Sequence, residues 1–459
     1  MNAHTHAEHS ANDIAAHLHP FTNLATHPQV GPMVITRGDG IFVEDDQGRR
    51  YLEAMSGLWC ASLGFSNARL AKAGSDALHG LPYYHTFNGR SNPAAIALAE
   101  KLLTLAPVPM SKVFFANSGS EANDSAVKLV WYYHNAIGKP DKKKIIARKN
   151  AYHGVTVVAA SLSGLINNHR DFDLPIDRVL HVDCPHHYRY AAPGESEEAF
   201  ATRLADNLEK RILEEGPDTV GAFIAEPVMG AGGVIVPPAG YFEKIQKVLA
   251  KYDVLLIADE VICGYGRTGE MFGSTTYGLR PDILTSAKAL SSGYVPISAV
   301  MVNERVHAAV AANSGKIGTF GHGFTYSGHP VSCAIALETL QVYDDENILG
   351  HVQAIAPQFQ QGLRAYAERR FVGEVRGVGL IGAMELMADP AARTAFDPAQ
   401  KAGVKLAELA LAQGLIVRAM GDAIAFCPPL IITAAEIDEL FRRFERAMVQ
   451  FEAAMAVAA

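Results

Sequence analysis

The sequence predicts an α/β fold: a mostly parallel central sheet in a large domain, joined to a smaller α+β domain assembled from both ends of the chain. Three observations lead there. Short apolar segments alternate with helical patterns from residue 110 to residue 300, the rhythm of βα units laid side by side. Most of those segments lack polar alternation, as strands buried on both faces do. The ends break the rhythm, with short strands before it and long helical patterns after it.

Taken in order, residues 34–53, VITRGDGIFVEDDQGRRYLE, read as two or three short strands with turns at residue 40 and residues 46–48. The central strand candidates are KVFFAN (112–117), KIIAR (144–148), AFIAEP (222–227), VLLIADE (254–260), DILTSA (282–287) and ISAVMV (297–302). Between them EANDSAVKLVWYYHNA and YFEKIQKVLAKY repeat apolar residues at three and four, the helical period. After residue 330, helical patterns bracket the strand candidates EVRGVGLIGAMEL and GLIVRAM, and a last helix opens at Thr433 with Glu436 in capping-box position. The predicted division is 1–60, an N-terminal arm and part of the small domain; 61–330, the large domain; and 331–459, the rest of the small domain.

Composition narrows the function. The 459 residues carry 40 Lys+Arg against 48 Asp+Glu, a net charge of −8, which is the wrong sign for a nucleic-acid binder. Only 19% of residues are charged, so part of the surface is expected to be buried between subunits of a homodimer or a dimer of dimers. Five scattered cysteines without a C-x-x-C pair suit reduced thiols. The opening MNAHTHAEHS lacks a signal peptide's basic start and apolar stretch, and no apolar run is long enough for a membrane span. A cytoplasmic location is expected, with no membrane partner. His4, His6, His9, His17 and His19 raise the idea of a metal tail, but with no rigid element in view to fix ligand geometry the expectation is a solvated arm and no metal.

Four local patterns carry chemistry. In NSGSEAND, Ser118, Gly119 and Ser120 lie between a strand and a helix, where first-turn amides and two hydroxyls can receive a phosphate; the same spacing to Glu121 is also a plain capping box. GYGRTG (264–269) matches a dinucleotide fingerprint literally, but no helical period follows at once and Asp259 and Glu260 precede it, which argues against nicotinamide or flavin. Asp259 ends an apolar strand, and a carboxylate there asks for a cation. Lys288 follows the next strand candidate. If the two strands are parallel neighbours, both residues face one crevice, and a desolvated lysine there is a nucleophile for carbonyls; the alternatives are a direct Asp–Lys ion pair or a solvated lysine. A lysine able to form an imine, a carboxylate for a pyridinium nitrogen and a phosphate cradle are together what pyridoxal phosphate requires. Tyr152, before His153 and Gly154 in the loop after KIIAR, offers a ring for stacking, and Arg418 in GLIVRAM needs an acid, either a structural one or a substrate carboxylate.

These stretches, IADEVICGYGRTG, SAKALSSGYVPISAV, NSGSEAND, GFTYSGHP and GLIVRAMGD, resemble the class III aminotransferases, pyridoxal phosphate enzymes of fold type I, and among them the amine:pyruvate and ω-amino acid:pyruvate branch. The resemblance runs from about His19 to the C-terminus. It implies that Lys288 binds the cofactor covalently and moves protons, that Asp259 pairs with the ring nitrogen, and that Ser118, Gly119 and Ser120 hold the phosphate with Thr325 of a partner subunit. It also implies Tyr152 and Val261 on the two ring faces, and His153 and Glu226 near the cofactor. Phe21, Trp59, Phe87 and Tyr152 are implied to line the substrate pocket, with Arg418 as a mobile carboxylate binder. Where ornithine and γ-aminobutyrate aminotransferases of this class carry a glutamate that pairs with that arginine, this chain has Ala231.

The expected enzyme is therefore a transaminase taking an amino group from a primary amine or ω-amino acid to pyruvate, giving an aldehyde or ketone and L-alanine. A racemase, decarboxylase or aminomutase would use the same cofactor residues, and an NAD-dependent dehydrogenase would rest on GYGRTG alone.

Overall fold

The computed structural model describes residues 6–457, so His4 lies outside the described residues. Three sheets organise the chain. The N-terminal strands β1 (Ile35–Asp39), β2 (Phe42–Asp45) and β3 (Arg50–Glu53) form an antiparallel meander. Turning where Gly40 and Gly48 take positive φ, it matches the short strands read from residues 34–53.

The central sheet comprises β4 (Lys112–Ala116), β5 (Lys144–Arg148), β6 (Val179–Val182), β7 (Val220–Ala225), β8 (Leu255–Asp259), β9 (Ile283–Ser286) and β10 (Ser298–Val302). Its order is β4-β10-β9-β8-β7-β5-β6. The five strands from β9 to β6 run parallel, and β10 pairs antiparallel with both β4 and β9. Every residue of β7, β8 and β9 is buried, which is why their sequences show no alternation. β6, VLHV, was not among the sequence candidates: its His181 interrupts the apolar run, satisfied by the carbonyls of Leu162 and Ser163.

The C-terminal strands are β11 (Val372–Val378), β12 (Ile381–Leu386), β13 (Leu415–Ile416), β14 (Arg418–Met420) and β15 (Ala423–Phe426). GLIVRAM is not one strand. β13 pairs parallel with β3, joining the two ends of the chain in one sheet, while β14 pairs with β15 in the sheet β11-β12-β15-β14. The chain changes sheets at Val417, and Arg418 starts the second. The final helix Ala434–Val457 opens as expected, with the Thr433 amide donating to Glu436 Oε2 at 2.8 Å and the Glu436 amide to Thr433 Oγ1 at 3.3 Å.

GYGRTG is a structural joint. Arg267 is buried, and its guanidinium donates to the carbonyls of Leu380 (2.9 Å) and Pro428 (2.6 Å) and to Ser56 Oγ (3.2 Å), tying the loop to both terminal segments. A loop whose charge is spent on protein carbonyls has no place for a pyrophosphate.

The arm before residue 19 departs from the expected solvated tail. Residues His6–Ala16 form a helix, and His6 and His9 meet the Asp46 carboxylate of the β2–β3 turn at 2.8 and 3.1 Å. No helix of the described residues is long and apolar enough to cross a membrane.

Candidate active site

The site lies where the parallel strands end, the crevice in which open α/β sheets bind ligands. β8 and β9 are parallel neighbours with Asp259 opposite Thr285, and Lys288 starts a short 3-10 turn three residues farther on. Asp259 and Lys288 therefore open on one crevice, as the strand reading anticipates. Lys288 adopts φ +48°, in the left-handed region where a side chain costs about 1–2 kcal/mol. Strain of this kind gathers at functional sites. Its amine makes no hydrogen bond or ion pair with any described residue, so the direct Asp–Lys pair is not formed. Burial lowers the Lys288 pKa, against the opposing charges of Cys60, Asp259 and Glu226.

What Asp259 has instead of a lysine is a polar frame. Its Oδ2 accepts from His153 Nδ1 at 2.7 Å and from Asn123 Nδ2 at 2.8 Å, and Oδ1 accepts from the Val261 amide at 3.1 Å. Asn123 also donates to the His153 carbonyl at 2.7 Å and accepts from Thr285 Oγ1 at 2.8 Å. The carboxylate is thus fixed in direction, with lone pairs on Oδ1 still available. Sequence reasoning missed Asn123 and Thr285, although Asn123 stands one helical turn after Gly119 and so on the same face of its helix. His153 acts on the carboxylate, and its buried Nε2 has no partner.

The phosphate candidate is the start of the helix Gly119–Ala136. The capping reading holds in part: Ser118 Oγ accepts from the Glu121 amide at 3.2 Å, but the Glu121 carboxylate turns to the Asn117 amide and side chain, at 2.7 and 2.9 Å, rather than to the cap. The first-turn amides of Gly119 and Ser120 lie beyond the reach of the helix's own carbonyls. Ser120 Oγ accepts from the Val155 amide at 3.0 Å, leaving its proton to donate. Gly119 faces Val261 so closely that a Cβ would stand 3.0 Å from Val261 Cγ1. At Gly154 a Cβ would stand 2.4 Å from Ser120 Oγ. Both glycines keep this end of the helix open.

Around this centre the substrate candidates divide. Tyr152 is half-buried; its amide donates to Glu226 Oε1 at 3.0 Å, and its ring meets Phe21 edge-on with centroids 6.4 Å apart. Glu226, its pKa raised by burial, accepts at Oε2 from the Gly230 amide at 2.9 Å, so it positions two loops through their backbones. Trp59 is buried against Met55, Val228 and Ile262, an apolar wall beside Cys60, whose thiol is raised by burial and feels the Lys288 charge. Ala231 is half-buried in a turn whose Gly233 and Val234 carbonyls are taken by Arg376. Arg418 is half-buried, its guanidinium makes no hydrogen bond or ion pair among the described residues, and burial lowers its pKa. The structural salt bridge considered for it is not formed.

Phe87 and Thr325 lie elsewhere in the chain. Phe87 borders a cleft of about 950 Å³ with Phe114 and His322, a cleft that Lys288, Asp259 and Tyr152 do not line. Thr325 is exposed, and its carbonyl accepts from Tyr83 Oη at 2.9 Å. A single chain does not bring these two to Lys288.

Comparison with known proteins gives one answer at the level of family. The family model described as aminotransferase class-III matches residues 25–448. Gamma-aminobutyrate transaminase 1, mitochondrial, of Oryza sativa subsp. indica is 53% identical over 424 residues, 92% of this chain and 82% of that protein. The vanillin aminotransferase of Capsicum chinense is 49% identical over 444 residues, 96% of each chain. Among solved structures, the omega transaminase from Pseudomonas jessenii in complex with PMP superposes with a TM-score of 0.95 at 55% identity, covering 96% of this chain and 98% of that one.

Proposed function

Because this chain belongs to the class III aminotransferases, pyridoxal phosphate enzymes of fold type I, we propose that it moves the amino group of a primary amine or ω-amino acid to pyruvate, leaving an aldehyde or ketone and L-alanine. One observation carries the reading: Arg418 lies beside Tyr152 with no acid among the described residues to neutralise it, and the turn that would supply one offers Ala231. An unpaired, half-buried guanidinium is a receptor for a carboxylate.

The residues present suit the cofactor. A desolvated, unpaired amine at Lys288, a framed carboxylate at Asp259 and an anion-ready helix end kept open by two glycines match an aldehyde, a pyridine nitrogen and a phosphate. When bound, pyridoxal phosphate supplies an electron sink that makes the carbon bearing the amine acidic. Lys288 Nζ would hold the cofactor and would carry the proton to and from the substrate carbon. Asp259 would keep the ring nitrogen protonated. Tyr152 and Val261 would pack against the ring, and the Gly119 and Ser120 amides would receive the phosphate. Arg418 binds pyruvate's carboxylate and withdraws when an amine without one occupies the pocket.

The names of the relatives suggest the donors: γ-aminobutyrate, an ω-amino acid, and the arylmethylamine corresponding to vanillin. We further propose a homodimer, in which the exposed Tyr84, Phe87 and Tyr326 meet a second copy and Thr325 reaches the phosphate of that copy's site. Borohydride reduction and peptide mapping test the centre, with the pyridoxyl group expected on Lys288 and attachment elsewhere refuting it. A donor panel run with pyruvate and with 2-oxoglutarate tests the specificity; preference for 2-oxoglutarate would overturn the acceptor.

A further inference from the structure

The N-terminal arm carries a cluster that amine transfer does not use. Asp13 sits in the last turn of the helix His6–Ala16, and three imidazoles converge on its carboxylate. His19 Nε2 and His27 Nε2 meet Oδ1 at 2.7 and 3.2 Å, and His17 Nδ1 meets Oδ2 at 3.3 Å. The donor atoms of Asp13, His17 and His19 all lie within 4.8 Å of one another.

We propose that Asp13, His17 and His19 bind a divalent metal ion of the zinc class, with His27 holding Asp13 in place from outside the coordination shell. The donor set of two imidazoles and a carboxylate suits zinc, whose bonds to nitrogen and oxygen run about 2.0–2.2 Å. In a tetrahedron the distance between ligand atoms is about 1.6 times the bond length, so about 3.3–3.5 Å for such bonds. His17 and His19 already stand 3.3 and 2.7 Å from the carboxylate, so the ion displaces protons with little movement of the chain. The backbone supplies the rigid element that the bare sequence did not reveal: the His17 amide donates to the Asp13 carbonyl at 2.8 Å, continuing the helix and placing the two side chains one turn apart. His27 opens a short helix with its side chain only 10% exposed, and a hydrogen-bonded second partner of this kind orients a ligating carboxylate.

The other cluster of this kind among the described residues, His186 with Glu374 and Glu385, has no such capacity. Arg376 already occupies both carboxylates, at 2.6 and 2.8 Å. Among the described residues no guanidinium or ammonium competes for Asp13. Three protein ligands leave a fourth position for water. The ion would also pin the segment that carries Phe21, two residues after His19, against Tyr152.

Titration of the holoenzyme with zinc ion alone, in a buffer that does not chelate it, tests the proposal by calorimetry. One zinc per chain is expected, unchanged in a His4→Ala, His6→Ala, His9→Ala variant. In His17→Ala the affinity falls by at least about tenfold, and in His27→Ala by about 10- to 100-fold. His17 is 60% exposed, so its removal leaves the helix standing, which circular dichroism verifies. Cobalt(II) gives a second readout, an intense tetrahedral visible spectrum present in the native protein and absent in His17→Ala. No tight zinc in the native protein, equal affinity in His17→Ala, or binding lost only in the triple variant would overturn the site.

Discussion

Replacing Gly154 by alanine should loosen the cofactor through a single steric collision. Gly154 has φ +131°, and a Cβ added there stands 2.8 Å from Ser120 Cα, where ordinary contact begins at 3.4 Å. Ser120 must retreat by about 0.6 Å, carrying with it the amide and hydroxyl at the helix start. Charge-assisted bonds of the kind this cradle offers a phosphate contribute about 1.5–3 kcal/mol each, so displacing one weakens the cofactor about 10- to 150-fold. The positive φ adds its own cost, about 1–3 kcal/mol of stability. Gly138, just beyond the C-terminal end of the same helix, separates the two effects: at φ +76° its Cβ would meet nothing within 4 Å. Both variants should lose stability, but only Gly154→Ala should lose cofactor. Resolving each apoprotein and titrating pyridoxal phosphate back, followed by absorbance and by recovered turnover, measures the difference. Native cofactor affinity in Gly154→Ala, or equal losses in the two variants, would refute the placement of the phosphate.

Other residues give separate tests. Asp259→Asn removes the charge from a frame that otherwise persists, and a carboxylate shifts a neighbouring group by about 1–3 pKa units, so turnover at saturating substrate and cofactor should fall about 10- to 1000-fold with the circular dichroism unchanged. His134 is buried with its pKa lowered from 6.5 to about 4, so as pH falls through that window the unfolded chain takes up a proton that the folded chain refuses, and stability drops. His134→Gln should lessen the loss of stability between about pH 7.5 and about pH 5 by up to about 2 kcal/mol, read from chemical unfolding midpoints. In the proposed dimer Thr325 contributes a charge-assisted bond to the phosphate, so the protein should sediment as a dimer and Thr325→Ala should weaken cofactor binding about tenfold. A fully active monomer would contradict that arrangement.

Much of this was legible in the chain because buried parallel strands advertise themselves. VLLIADE announces a strand by its unbroken apolar run and DILTSA by its lack of charge after Asp282, and once those strands are parallel neighbours Asp259 and Lys288 must share an edge. What the sequence hides is contact between distant segments. Nothing local says that Asn123 and His153, 30 residues apart, converge on Asp259, or that Glu226 spends its carboxylate on backbone amides. GLIVRAM reads as one strand because its hydropathy is continuous, yet pairing with β3 on one side and β15 on the other divides it at Val417. The arm misleads for the same reason. Scattered histidines look solvated until Asp46 and Asp13 are seen to gather them.

Arg418 is the residue at which the proposed alternation between an amine and a keto acid is tested against a general pyridoxal phosphate site. Removing one partner of a buried charge pair costs about 2–5 kcal/mol, which weakens pyruvate use by about 30- to 5000-fold. Single-turnover kinetics of Arg418→Ala, with the amine half and the pyruvate half of the reaction measured separately, isolates that loss. The pyruvate half should be crippled while a simple monoamine still aminates the cofactor at close to the native rate. Equal losses in the two halves would make Arg418 a structural residue and contradict a carboxylate switch in this pocket.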